Sequence, residues 1–337
     1  MNSWDFVSQL KNGWNLGNTL DAVARDIPNP SPEQHETAWY NPLTSEAMIN
    51  LVKDAGFGIL RIPTTWYPQV DADFNIKKEW MQRVQEITDW GLRNGLTVIL
   101  NLHHEDWHFP SEENYPAASE KLQKLWKQIA EHFASYDNRL VFEAMNEPRK
   151  NGTDVEWTGG DAEGRAVVVK LNADFVKTVR ATGGNNTTRM LMLPTYAASS
   201  SDVAMSDFSI PEGDPHLIVS VHAYTPYDFA LVDDMSNNIF TPEAEKAIDE
   251  LFTNIEKYFT SKKIPVIMGE CGARDKKGNL DERVKWAKYY TDKAKKCGVP
   301  CIWWDNGAFK GDGEVFGIMN REKAEWTYPA VVEAFLA

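Results

Sequence analysis

Cysteine is scarce in this chain: Cys271, Cys297 and Cys301 are the only three in 337 residues. An odd count without framework spacing excludes a disulfide scaffold. Long apolar runs are missing too, and none reaches the ~18–20 residues that cross a bilayer. The opening Met1-Asn2-Ser3-Trp4-Asp5 has no basic stretch followed by an apolar segment, so no secretory leader is expected there. Positive charge is the minority sign. Lys and Arg total 35 against 49 Asp and Glu, a net charge of −14. Such a surface is repelled by nucleic-acid phosphates and by anionic membranes, so neither is expected as a partner. No low-complexity linker divides the chain, which favours one domain over 1–337. The G-x-G-x-x-G fingerprint is absent, which argues against a dinucleotide-binding sheet. No Ser sits in a G-x-S-x-G elbow.

What is present is an ordinary globular mixture, 42% apolar and 25% charged, with an unusual thirteen Trp. A chain of this length buries a large core. Trp serves a core, and Trp beside polar groups also serves a sugar-stacking cleft. Short apolar runs alternate with amphipathic stretches. Eight runs read as strands: 13–17, 59–63, 97–103, 140–145, 190–194, 217–223, 265–270 and 300–304. The fifth has the weakest surroundings. Several are continuously apolar, as strands covered on both faces are. Leu122, Leu125, Trp126, Ile129 and Phe133 recur at helical period, as do Ile248, Leu251, Phe252 and Ile255. Thr241 and Pro242 open the latter helix. Further helices read over about 77–94, 166–181 and 282–297, and from Tyr328 onward. Strand–helix repeats imply parallel strands with crossovers. Eight of them predict the α/β class and a closed (β/α)8 TIM barrel, enlarged by loops beyond the ~250-residue norm.

The C-terminal strand ends of such a barrel carry its chemistry. Here they hold Gly13-Trp14-Asn15-Leu16-Gly17-Asn18, Arg61-Ile62-Pro63, Asn101-Leu102-His103-His104-Glu105, Glu143-Ala144-Met145-Asn146-Glu147-Pro148, His222-Ala223-Tyr224, Gly269-Glu270-Cys271-Gly272 and Trp303-Trp304-Asp305-Asn306-Gly307. Glu147 and Glu270 each follow an apolar strand and stand beside a turn former. A carboxylate pair across one cleft is the equipment of glycoside hydrolysis. One must donate a proton, so its pKa is expected to be raised by an apolar site and a negative neighbour. The other stays ionised, with Arg61 and the Tyr224 hydroxyl to stabilise it. Strands four and seven oppose each other across a barrel mouth, so the pair can meet at the ~5–5.5 Å of a retaining enzyme. His104-Glu105-Asp106-Trp107-His108 matches H-E-x-x-H, a zinc pattern that requires a helix. It leaves a strand and runs into Phe109-Pro110, poor ground for one. The expectation is a loop, with His103 at the cleft and His104 packed behind it. Cys271 faces away from the cleft if Glu270 faces it, and so reads as core.

In order and spacing these elements resemble glycoside hydrolase family 5, the cellulase family. Gly13-Trp14-Asn15-Leu16-Gly17-Asn18-Thr19-Leu20 is similar to the opening of its bacterial and rumen endoglucanases, notably subfamily 4. The resemblance runs from about Gly13 to Gly307 and through the last helix. His-Ala-Tyr departs from a more usual central Phe or Tyr, at a position that should point away from the cleft. The resemblance implies a retaining endo-β-1,4-glucanase, with Glu147 as acid/base and Glu270 as nucleophile. Asn146 would bond the sugar 2-hydroxyl, and Arg61 and Tyr224 would hold Glu270. His103 and His222 would order the carboxylates and touch the sugar, with His104 and Asn18 among the sugar contacts. Trp304, or its neighbour Trp303, would stack under the sugar. Trp39 and Tyr40 lie in a long first loop of a kind that helps form subsites. Trp107 and Trp66 are further platform candidates, each equally readable as core. No metal or cofactor is implied. The partner is a β-glucan, with xyloglucan, mixed-linkage glucan, mannan and xylan as alternatives on the same barrel. A monomer acting outside the cell is expected, the latter from the polymeric substrate.

Overall fold

A computed structural model describes residues 1–233, 235–276, 278–310 and 314–337. Eight parallel strands close into one barrel: β1 Gly13–Leu16, β2 Ile59–Ile62, β3 Thr97–Asn101, β4 Leu140–Glu143, β5 Leu191–Ser199, β6 Leu217–His222, β7 Val266–Cys271 and β8 Cys301–Asp305. β1 pairs with both β2 and β8, which shuts the sheet. Helices return the chain along the outside, among them Lys78–Arg93, Tyr115–His132, Ala162–Ala181, Pro242–Tyr258 and Leu280–Lys296. Thr241 caps the fourth of these as its side chain accepts from the Ala244 N–H, with Pro242 at the first turn. The fold is the expected (β/α)8 TIM barrel. No helix among the described residues is long and apolar enough to cross a membrane.

The fifth strand, weakest by its surroundings, is the longest at nine residues. Its last stretch is irregular. The pairing with β6 jumps between Pro194 and Ser199, and Ala197 and Ala198 both take left-handed backbone. β3 and β4, by contrast, are shorter than the apolar runs suggested, stopping at Asn101 and Glu143.

Inside the barrel, side chains alternate in and out along each strand. Ile59, Ile99, Val141, Met192, Ile218, Ile267 and Ile302 form an apolar floor, and Phe6 and Val7 of the helix Ser3–Val7 pack against it. Two residues further along, the same inward face turns polar: Arg61, Asn101, Glu143 and Ser220, all buried. The floor below them excludes water. The polar set must therefore find its partners within itself.

β7 breaks the alternation. Val221 pairs with Met268, but His222 pairs with Glu270, so Gly269 is an extra residue. Such a bulge re-aims the side chains after it. Glu270 turns into the mouth, and Cys271 turns outward into the core between barrel and helices, in line with the expectation that the two face opposite ways. A side chain at position 269 has no room, since its Cβ would lie 2.9 Å from His222 Nε2.

Candidate active site

Arg61, fully buried, stands at the centre of the mouth. Its Nε donates to Glu143 at 2.8 Å. Its Nη1 donates to Asn15 Oδ1 at 2.9 Å and to Glu270 Oε1 at 2.8 Å. Its Nη2 donates to Asn146 Oδ1 at 2.7 Å. Side chains from β1, β4 and β7 and from the β4 exit are thus tied to one planar cation on β2, which suits a rigid fork better than a flexible ammonium. Burial works against the Arg61 charge, but Glu143 and then Glu270 raise its pKa.

Glu270 also accepts from the Tyr224 hydroxyl at 2.8 Å. Burial, and then Glu270 itself, push the Tyr224 pKa well up, so it stays a neutral donor. Glu147 shares its Oε1 with His222 Nδ1 at 2.8 Å. One ligand-type atom each from Glu147, His222 and Glu270 lie within 4.8 Å of one another. The two carboxylates of the β4 exit and β7 therefore meet across the mouth.

The Glu147 pKa departs from expectation. Burial raises it, but the His222 hydrogen bond, the His222 and Arg149 charges and His104 together bring it below the ordinary glutamate value. His222 moves the opposite way. Burial opposes its charge, but Glu270 and Glu147 outweigh this and raise it. Each group thus favours the charged form of the other across their 2.8 Å contact.

His103 lies parallel to the Trp304 indole, ring centroids 5.7 Å apart. Asn101 Oδ1 accepts from the Thr64 N–H, which turns its NH2 toward His103 Nδ1, 3.1 Å away. Nδ1 is then the acceptor, and the ring proton sits on Nε2. Burial, then the His104 and Arg61 charges, keep this ring neutral. Gly17 makes room for Trp304, since a Cβ there would come within 2.8 Å of the indole. Trp303 faces the other way, packed on Trp286 and Phe335, so Trp304 is the one at the mouth.

The family described as cellulase (glycosyl hydrolase family 5) matches residues 21–310, most of the chain. The chain belongs to glycoside hydrolase family 5. It is 44% identical to endoglucanase A of Clostridium longisporum over 98% of its length, and spans 65% of that longer relative. It is 45% identical to endoglucanase B of Neocallimastix patriciarum, covering 100% of this chain and 72% of the other. Its fold superposes on a subfamily 4 broad specificity endoglucanase from Ruminococcus champanellensis with bound cellotriose. That TM-score is 0.96 at 43% identity, over 100% of this chain and 99% of the other.

Some site expectations for this family 5 barrel need correction. Trp107 is buried, and its N–H goes to Glu105 Oε2 at 2.7 Å. Trp66 is fully buried, with its N–H on the Asn101 carbonyl. Both pack in the core between barrel and helices, one of the two readings open to them. His104 is not packed behind His103. Its side chain is 42% exposed, edge-on to His103, beside Trp39 and 3.8 Å from Asp21. Trp39 is half-buried against it, while Tyr40 is wholly exposed. Asn18, in left-handed backbone, gives its N–H to Asp21, and its carbonyl accepts from Asn41.

The H-E-x-x-H segment is a loop, as expected, and the next helix begins at Tyr115. Glu105 accepts from the Trp66 and Tyr67 N–H groups and from Trp107. Burial still raises its pKa to about 7. His104 and His108 share no helical face, and the loop's glutamate is a buried organiser of backbone.

Four residues received no role in the strand-end reading. Asn101 and Glu143 close β3 and β4 and Ser220 lies within β6, each two positions beyond a floor residue. Arg149 lies in the loop after β4. Its guanidinium stands 3.6 Å from Glu147 and 4.1 Å from the Trp157 ring centre. Trp157 is 62% exposed.

Proposed function

We propose that this barrel hydrolyses internal β-1,4-glucosidic bonds of β-glucans by a retaining double displacement. The carrying observation is the meeting of Glu147, His222 and Glu270 oxygens and nitrogen within 4.8 Å. So close an approach fits the near carboxyl pair of a retaining enzyme, about 5–5.5 Å apart, rather than the pair about 6.5–9.5 Å apart that inversion needs. The endoglucanase names of the relatives supply the substrate class.

In the first step a Glu270 oxygen attacks the anomeric carbon. The bond to the leaving oxygen breaks, and that oxygen takes a proton from Glu147. His222 Nδ1, 2.8 Å from Glu147, holds that carboxyl in place for the transfer. Asn146 has its carbonyl on Arg61, which leaves its NH2 to donate to the sugar 2-hydroxyl. His103 donates from Nε2 to the same sugar, stacked beside Trp304. In the second step ionised Glu147 takes a proton from water. The hydroxide attacks the anomeric carbon and Glu270 leaves. Two inversions return the starting configuration. We expect the protein to act outside cells, since such polymers do not enter them.

The leaving sugar lies on the Glu147 side, toward Arg149 and the exposed Trp157. Replacing Trp157 with alanine should raise KM on long cello-oligosaccharides by about tenfold and leave kcat on short aryl glycosides unchanged, since a stacked aromatic platform gives roughly 1–1.5 kcal/mol. Equal KM values for both proteins across chain lengths would remove Trp157 from the leaving-group side.

The test of the whole reading is reducing-sugar release from carboxymethyl cellulose, barley β-glucan, xyloglucan, glucomannan and xylan, each with and without chelator. Chelator-resistant release from the glucans is expected, and the rank order gives the preferred backbone. No release from any of them, or release lost with chelator, would overturn it.

A further inference from the structure

Glu143 is a third carboxylate of the mouth and more enclosed than either of the two assigned above, with no exposed surface. Its Oε2 accepts from Arg61 Nε at 2.8 Å and from Asn101 Nδ2 at 3.1 Å. Its Oε1 accepts from the Ser220 hydroxyl at 2.6 Å. Side chains from β2, β3 and β6 therefore converge on this last residue of β4. It sits too deep to touch a sugar, beneath Arg61 and one step of the alternation above the floor residue Val141.

Two functional groups hang from this one carboxylate. The first is Arg61, whose guanidinium divides between Glu143 and Glu270, one carboxylate on each side. The second is His103. The Asn101 NH2 has two hydrogens, one directed to Glu143 and the other to His103 Nδ1. Glu143 thus helps hold the amide in the orientation that puts the ring proton on Nε2.

We propose that Glu143 is a positioning residue that divides the Arg61 charge with Glu270 and fixes the His103 tautomer. The inference rests on the double-displacement reading. A cation answered by Glu270 alone would hold that carboxylate more tightly ionised, and a tightly held carboxylate is a poorer nucleophile. With Glu143 taking the Nε side, Glu270 receives a partial counter-charge and keeps its reactivity. The other groups facing Glu270 are Glu147 from the β4 exit, His222 on β6, Tyr224 after β6 and Glu314 beyond β8. Glu143 hydrogen-bonds none of them, so its effect passes through Arg61.

The substitution Glu143→Gln separates charge from geometry. A glutamine carbonyl can accept from Arg61 and Asn101 as Oε2 does. Its NH2 can donate to Ser220, whose hydroxyl also accepts. The contacts persist and one negative charge is gone. On an aryl β-cellobioside, the acid limb of kcat/KM should move about one pH unit lower, and the optimum rate should fall about tenfold. Glu143→Asp keeps the charge but withdraws it by one methylene. It should lower the rate with the acid limb unmoved. An unmoved limb in Glu143→Gln overturns the proposal. If Glu143→Gln does not fold, a displaced limb in Glu143→Asp overturns it and an unmoved limb with a lowered rate supports it. A wild-type enzyme inactive on every glucan overturns the underlying reading instead, so the two failures are distinguishable.

Discussion

Glu270→Ala should lose at least about 10⁴-fold in kcat on barley β-glucan, the scale on which removing a covalent nucleophile acts. The fold should survive it. Arg61 keeps Glu143, Asn15 and Asn146 as partners, so the buried cation is not left bare. Thermal unfolding of the variant should remain cooperative within a few degrees of wild type. Azide gives a second readout. A small anion fits the space vacated by the carboxylate, attacks the same face of the sugar, and yields a glycosyl azide of inverted configuration. Turnover within about a hundredfold of wild type, without azide, would mean that another group attacks the anomeric carbon.

Glu147→Ala should divide substrates by their leaving groups. On β-glucan, whose sugar alkoxide leaves poorly without a proton, kcat should drop about 10²–10⁴-fold. On a dinitrophenyl β-cellobioside the first step needs no acid and should stay fast. The second step still needs a base to deprotonate water. Product should then appear as a burst, followed by a slow steady state that azide accelerates. An equal loss on both substrates with no burst would assign the acid elsewhere. His222 is the neighbour to consider, because its Nδ1 stands 2.8 Å from Glu147.

The parts of this site that are legible in one dimension are those where an apolar run stops. Glu147 and Glu270 show because they follow such runs, and Arg61 because a cation inside one is expensive unless paired. Glu143, Asn101 and Ser220 obey a different signal. They keep the parity of Val141, Ile99 and Ile218, so they face inward, and only the closed sheet shows that they face each other. The bulge at Gly269 is invisible for the opposite reason. Strict alternation would put Gly269 and Glu270 on opposite faces, and pairing with β6 is what shifts the count. Thirteen Trp signalled aromatic surface without saying where it goes. For Trp66 and Trp107 the answer lies in the acceptors of their N–H groups, a carbonyl on β3 and a buried glutamate. The lowered Glu147 pKa depends on His222, seventy-five positions away in sequence, which the barrel brings into contact.

The helix Ser3–Val7 seals the floor, its Ser3 N–H bonded to the Pro215 carbonyl ahead of β6. The final helix Pro329–Leu336 ends on the same side, where Asn12 donates to the Phe335 carbonyl. Both ends of the described chain therefore leave from the face opposite the mouth. A tag, a surface anchor or a second module joined at either end would hang beneath the barrel like a keel. A long polymer could then lie across the mouth and slide in either direction without meeting its own tether.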